Sequence, residues 1–176
     1  MPSVQQLVDE RAAATGFSGV VQLARGGETV LAAAYGLADR AHGVPVTLDT
    51  QFGTASVTKG FTALVMLRLI EHGVLHLDTA ARALLRDDLP LVDDEVTVEH
   101  LLAHRSGIGD YLDEDALGDI TDYVMPVPVH RLASTEEYLP ALDGHPQVSR
   151  VGEAFRYNNA GFVILALLAE RATGEP

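Results

Sequence analysis

The sequence predicts an α+β protein: an N-terminal helix and β-hairpin followed by a longer helical region. Three observations carry this. Val, Leu and Ala cluster on both sides of Arg25-Gly26-Gly27-Glu28, and Gly-Gly between apolar runs is a hairpin signal. From residue 56 onward, apolar residues recur at helical spacing, most clearly in SVTKGFTALVMLRLIEHG (56–73) and NAGFVILALLAERATG (159–174). The 176 residues suit one domain or slightly more, and at 47% hydrophobic they can bury a core. With aromatics at 6% and no Trp, that core is built mostly from Ala, Leu and Val.

In order, residues 3–14 form a short amphipathic helix that stops near Gly16. Residues 19–36 hold the two strands. The stretch LADRAHGVPVTLDTQF is a connector rich in Gly, Pro and Thr. The helix over 56–73 starts at Ser56, a residue type that suits a helix start, and ends at Gly73. Val57, Phe61, Leu64, Val65 and the run 67–69 give it a broad apolar surface. Short helices follow at 77–85 and 97–107, the second capped by Thr97 with His100 three residues on. Residues 108–133 are irregular and acidic, with Asp110, Asp113, Glu114, Asp115, Asp119 and Asp122 reading as a solvated flap. A further capped helix spans 134–142. The last, 159–174, stops at Gly174. Residues 1–50 thus group as helix and hairpin, and 51–176 as a helical region. A two-stranded hairpin is marginal alone in water, so either it packs tightly on helices or its sheet expects strands this sequence does not contain.

Composition removes several function classes. Twelve basic against 25 acidic residues give a formal net charge of −13, unsuited to nucleic acid or an anionic membrane surface. With no Cys there is no disulfide, thiolate nucleophile or Cys-based metal site. No secretory signal pattern and no membrane-length apolar run are visible, which predicts a soluble, cytoplasmic protein. His72/His76 and His100/His104 are i,i+4 pairs, but Gly73 interrupts the first and no H-E-x-x-H pattern accompanies the second. The acidic stretch lacks calcium-loop spacing. No metal or organic cofactor is expected.

One stretch carries chemistry. The chain has a single lysine, Lys59, three residues after Ser56 in GTASVTKGFT. A Ser hydroxyl needs a neighbouring base to become a nucleophile. Positions i and i+3 share a helix face, so Ser56 and Lys59 can meet across one turn. Lys serves as a base when neutral, which takes a shift of about three units from its reference near 10.4; desolvation by the following apolar residues and the helix N-terminus act in that direction. The alternative is that Ser56 merely caps the helix and Lys59 is a solvated first-turn residue, but a chain that otherwise uses Arg keeps Lys here, and Arg cannot be deprotonated. A second segment, GEAFRYNNAGFVILALL (152–168), places Tyr157 and Asn159 before an apolar helix. Tyr157 can act as a general acid or base and Asn159 can donate to a substrate carbonyl, or the two can simply be a Tyr at a helix start and an Asn cap.

Taken together, these segments resemble the serine β-lactamase and penicillin-binding protein superfamily, in the branch of class C β-lactamases, D-alanyl-D-alanine carboxypeptidases and esterases. FGTASVTKGFTALVMLRLIEHGVLHLDTAA resembles its S-x-x-K helix. VTVEHLLAHRSGI resembles its Leu-Leu-x-His-Thr-Ser-Gly loop, with Arg105 where Thr is usual. GEAFRYNNAGFVIL resembles its Tyr-x-Asn segment, with Asn158 where Ser is common. The resemblance implies an antiparallel sheet flanked by helices plus an all-helical region. It makes Ser56 the acylated nucleophile, with Lys59 tuning or accepting its proton and Tyr157 as general base. Asn159 positions the substrate, and the Ser56 N–H forms half an oxyanion hole. His104 and Ser106 fall in a structural loop.

The family's third motif, Lys-Thr-Gly or His-x-Gly on a late strand, does not occur in this sequence. The expectation is therefore an N-terminal portion without the C-terminal strands, impaired alone and completed by a C-terminal fragment. The function expected is serine hydrolysis of an ester, a β-lactam or a D-Ala-D-Ala-type amide. Its partner would be a small-molecule or peptide substrate. The alternative is a non-catalytic member of the fold used for ligand sensing or protein interaction.

Overall fold

The structure, a computed structural model, describes residues 2–113 and 118–175. Glu114 and Asp115 of the acidic stretch lie outside the described residues. The chain forms two compact units, residues 1–54 and 55–176.

In the first unit, helix α1 (Val4–Thr15) opens with a capping box. Ser3 Oγ accepts the Gln6 N–H while the Gln6 side chain accepts the Ser3 N–H, so two otherwise unpaired donors are satisfied. Gly16 ends the helix in the left-handed region at φ 63°. Strands β1 (Gly19–Arg25) and β2 (Glu28–Tyr35) pair antiparallel around Gly26 and Gly27. Both glycines have positive φ, 58° and 87°, the backbone a tight two-residue hairpin turn demands. The Tyr35 hydroxyl donates to Asp9 at 2.7 Å and ties the hairpin to α1. The connector rich in Gly, Pro and Thr holds a second small ladder, β3 (Leu37–Asp39) with β4 (Val44–Pro45). Two- and three-residue strands are too short for an alternating pattern to register in sequence.

The second unit is helical: α2 (Thr58–Glu71), α3 (Ala81–Leu85), α4 (Val98–Leu102), α5 (Leu139–Leu142) and α6 (Ala160–Thr173). Helix α6 is its centre. Ile164, Leu165, Leu167 and Leu168 are fully buried against Met66, Leu85, Val96, Val98 and Leu101. Each such side chain contributes about 1.5–3 kcal/mol by leaving water. Arg171 fastens the far end of α6 through Glu136 at 2.9 Å and Asp88 at 2.7 Å. Helix α4 carries the capping box read from Thr97, with His100 as the reciprocal partner.

Helix α2 departs from expectation in two ways. It begins at Thr58; Ser56 sits in a separate 3-10 turn, Ala55–Val57, and its side chain caps nothing. Met66 is buried, while Phe61, Leu64 and Val65 are 62%, 63% and 51% exposed. The apolar residues encircle the helix, and α6 covers one side of it. Lys59 is accordingly half-buried rather than enclosed as the sequence suggested.

Candidate active site

Four side chains singled out in the sequence converge at the start of α2. The Lys59 ammonium donates to Ser56 Oγ at 3.1 Å and to Asn159 Oδ1 at 2.8 Å. The Tyr157 hydroxyl donates to Ser56 Oγ at 2.7 Å. Lys59 Nζ also lies 4.8 Å from the centre of the Tyr157 ring, within cation–π range. Ser56 and Lys59 meet although Ser56 is outside the α-helix, because the 3-10 turn Ala55–Val57 runs directly into α2 and residues three apart share a face across the junction. The turn is set up by Ala55, whose φ of 45° is uncommon for a residue with a Cβ. Asn159 occupies the N-cap position of α6 but its side chain does not cap the helix: its Oδ1 holds Lys59 and its Nδ2 donates to Leu112 O at 3.4 Å.

The cap of α6 comes from elsewhere. Asp110 accepts the Ala160 N–H at 3.1 Å and the Asn159 N–H through its other oxygen, and it also accepts the Leu112 N–H at 3.2 Å. A carboxylate at a helix N-terminus is favourable both as acceptor and against the helix dipole. Burial pushes the Asp110 carboxyl above its ordinary pKa, and the three N–H groups oppose that rise. The acidic stretch is thus not wholly a solvated flap. Asp110 fixes the backbone of Asn159, and Asp113 pairs with Arg156 at 2.9 Å.

The loop after α4 holds the segment that carries Tyr157. His104 O accepts the Arg156 N–H at 2.8 Å, and His104 Nδ1 accepts the Asn158 N–H at 3.1 Å. The His104 ring lies between Tyr157 and Phe162, with centroids 4.7 and 4.9 Å away. Buried Asn158 donates to Ile108 O at 3.1 Å and accepts the Gly161 N–H at 2.6 Å, joining loop to helix. Arg105, in the place where Thr is usual, donates to Gly152 O. Gly107 is needed as glycine: at φ 69°, an added Cβ would meet Ser149 O at 2.3 Å. Of the two histidine pairs, His100 is spent on its capping box and His104 on this contact. Among the described residues, no group of three or more His, Asp or Glu side chains could hold a metal ion.

Beside Ser56 opens a cleft of about 610 Å³, walled by Lys59, Asn159, Phe162, Tyr111 and Tyr138. Burial, assisted by the Asp110 charge, pushes the Tyr111 phenol up to about 12, so it stays a neutral wall. Chemically, the arrangement offers an exposed hydroxyl between a phenol and an ammonium, at the rim of a partly apolar cleft.

Comparison with known proteins shows the family of the chain. The chain is 37% identical over 172 residues to esterase EstB of Burkholderia gladioli, covering 89% of this chain and 41% of that protein. It is 33% identical over 164 residues to a D-aminopeptidase of Brucella anthropi, covering 90% of this chain and 29% of the relative. Among solved structures, a penicillin-binding protein from Bacillus halodurans superposes with a TM-score of 0.83 at 34% identity, over 96% of this chain and 50% of that one. The chain thus spans half or less of the length of these relatives. Its helices and small antiparallel ladders correspond to part of their fold. The family model for beta-lactamase matches residues 4–176, and the chain belongs to the beta-lactamase family.

Proposed function

We propose that this chain carries the acylating centre of a serine hydrolase that acts on an ester, a β-lactam or a D-Ala-D-Ala-type amide. The observation that carries the reading is the contact of Ser56 Oγ with Tyr157 Oη at 2.7 Å and Lys59 Nζ at 3.1 Å. Either hydroxyl can donate along the 2.7 Å axis, so once Tyr157 has given its own proton to solvent the same contact passes the Ser56 proton to the phenolate. As Ser56 Oγ bonds to the carbonyl carbon, its proton moves to Tyr157. The Lys59 charge steadies the negative charge that develops on the attacking oxygen. Collapse of the tetrahedral adduct breaks the bond to the leaving group, which takes the proton back from Tyr157. Water then attacks the acyl-enzyme, losing its proton to Tyr157; the second adduct collapses by breaking its bond to Ser56 Oγ, which takes that proton back from Tyr157 and regenerates Ser56. Asn159, anchored by Asp110, holds Lys59 in place and presents an amide toward the cleft.

The esterase and D-aminopeptidase relatives support acyl transfer as the shared chemistry. The test is labelling with a fluorescent fluorophosphonate followed by peptide mapping. Label on Ser56, abolished by Ser56→Ala, is expected. A folded full-length protein that takes no label, or keeps it in Ser56→Ala, overturns the reading.

A further inference from the structure

The His104 contact reaches beyond a structural loop. Its carbonyl and its ring nitrogen take the N–H groups of residues 156 and 158, one on each side of Tyr157. Its ring, tilted by 32°, supports the Tyr157 ring from behind at 4.7 Å, with Phe162 on the other side and Phe155 at its edge. His104 holds this pose with φ at 55°, a conformation that costs a non-glycine residue energy and persists when its surroundings fix it.

We propose that His104 is a positioning residue for Tyr157, and that its neutral imidazole is required: protonation releases the clamp and turns off acylation of Ser56 on the acid side. The inference rests on the hydrolase reading above. Nδ1 accepts the Asn158 N–H, so the ring proton of the neutral form sits on Nε2. An imidazolium carries a proton on both nitrogens. Its Nδ1–H would face another N–H, and the 156–158 segment would lose its hold. The groups facing the ring are Lys59 from α2, the Tyr157 phenol, and the uncharged rings of Phe155 and Phe162. A second positive charge there adds to that of Lys59. Burial first, and the Lys59 charge second, hold the imidazole pKa below its ordinary 6.5.

The experiment follows the rate of fluorophosphonate labelling of Ser56 from about pH 4.5 to about pH 8. It is run on the 176-residue chain and on His104→Asn, whose Oδ1 accepts the same N–H but does not titrate. In parallel, NMR tracks the His104 ring protons and the Asn158 amide of the unmodified chain. The Asn158 amide is expected to shift with the same midpoint as the His104 ring, below 6.5. Labelling is expected to fall about tenfold or more through that midpoint. His104→Asn labels about tenfold more slowly at neutral pH, having lost the ring stack, and shows no acid limb. An acid limb unchanged in His104→Asn overturns the proposal. So does an Asn158 amide that ignores the His104 titration, a readout that stands even if the variant does not fold. A chain that never labels at Ser56 contradicts the hydrolase reading instead, and the amide titration still decides whether the imidazole holds the segment.

Discussion

Replacing Asp110 by Ala removes the cap of the helix that carries Asn159. In the native chain one Asp110 oxygen accepts the Ala160 N–H at 3.1 Å and the Leu112 N–H at 3.2 Å, while the other takes the Asn159 N–H. Loss of a capping Asp costs about 0.5–2 kcal/mol. Each half-buried N–H left without an acceptor costs about 1–3 kcal/mol, less whatever water recovers. Against this, Asp110 is itself penalised by burial, so its removal returns part of the loss. The net expectation for Asp110→Ala is about 2 kcal/mol, or a fall in Tm of about 4–8 °C for a chain of this size. Asp110→Asn keeps one acceptor and turns an amide donor toward the other N–H groups, so about 1 kcal/mol is expected. Because the folded pKa of Asp110 is raised, its shift stabilises the fold below the unfolded value of 3.8. That contribution is lost as pH rises through the folded pKa, so the gap between native and Asp110→Ala widens in acid. Urea unfolding followed by circular dichroism reads both effects. A midpoint for Asp110→Ala within about 0.5 kcal/mol of native at neutral pH would refute the reasoning.

Further outcomes follow from the same geometry. Tyr157→Phe removes the hydroxyl 2.7 Å from Ser56 Oγ and should slow Ser56 labelling by about 10²–10⁴-fold without changing the urea midpoint by more than about 1 kcal/mol. Lys59→Met removes the charge beside the attacking oxygen and should cost about 10²-fold or more in the same assay. The lowered pKa of His104 means the unfolded chain binds its proton more readily, so this residue's contribution to stability is present above 6.5 and falls as pH drops from there to the folded value. His104→Asn should flatten that part of the stability profile. Gly107→Ala forces a Cβ to 2.3 Å from Ser149 O at φ 69° and should destabilise by about 2 kcal/mol or more, read by thermal unfolding.

Much of the candidate site was legible because the side chains that meet in it lie in short local patterns. Ser56 and Lys59 are three residues apart, and Tyr157 and Asn159 flank one residue at a helix start; all four side chains meet. The hairpin was equally plain, since Gly26 and Gly27 supply the backbone their turn needs. What the sequence concealed depends on distant pairings. Asp110 caps a helix that begins 50 residues later, and no local spacing marks a remote cap among five acidic neighbours. His104 read as half of an i,i+4 pair, whereas its role comes from three aromatic rings brought in from the loop before α6 and from α6 itself. The apolar run of α2 implied an enclosed Lys59, but periodicity cannot say how many sides of an apolar helix are covered.

The most direct test is to mix the full-length protein with a p-nitrophenyl ester, quench in acid, and weigh both the intact protein and its peptides. The account predicts one added acyl group on the peptide containing Ser56, lost in Ser56→Ala and slow to appear in Tyr157→Phe. An unmodified chain, or an acyl group carried by another side chain while Ser56 stays free, would contradict it.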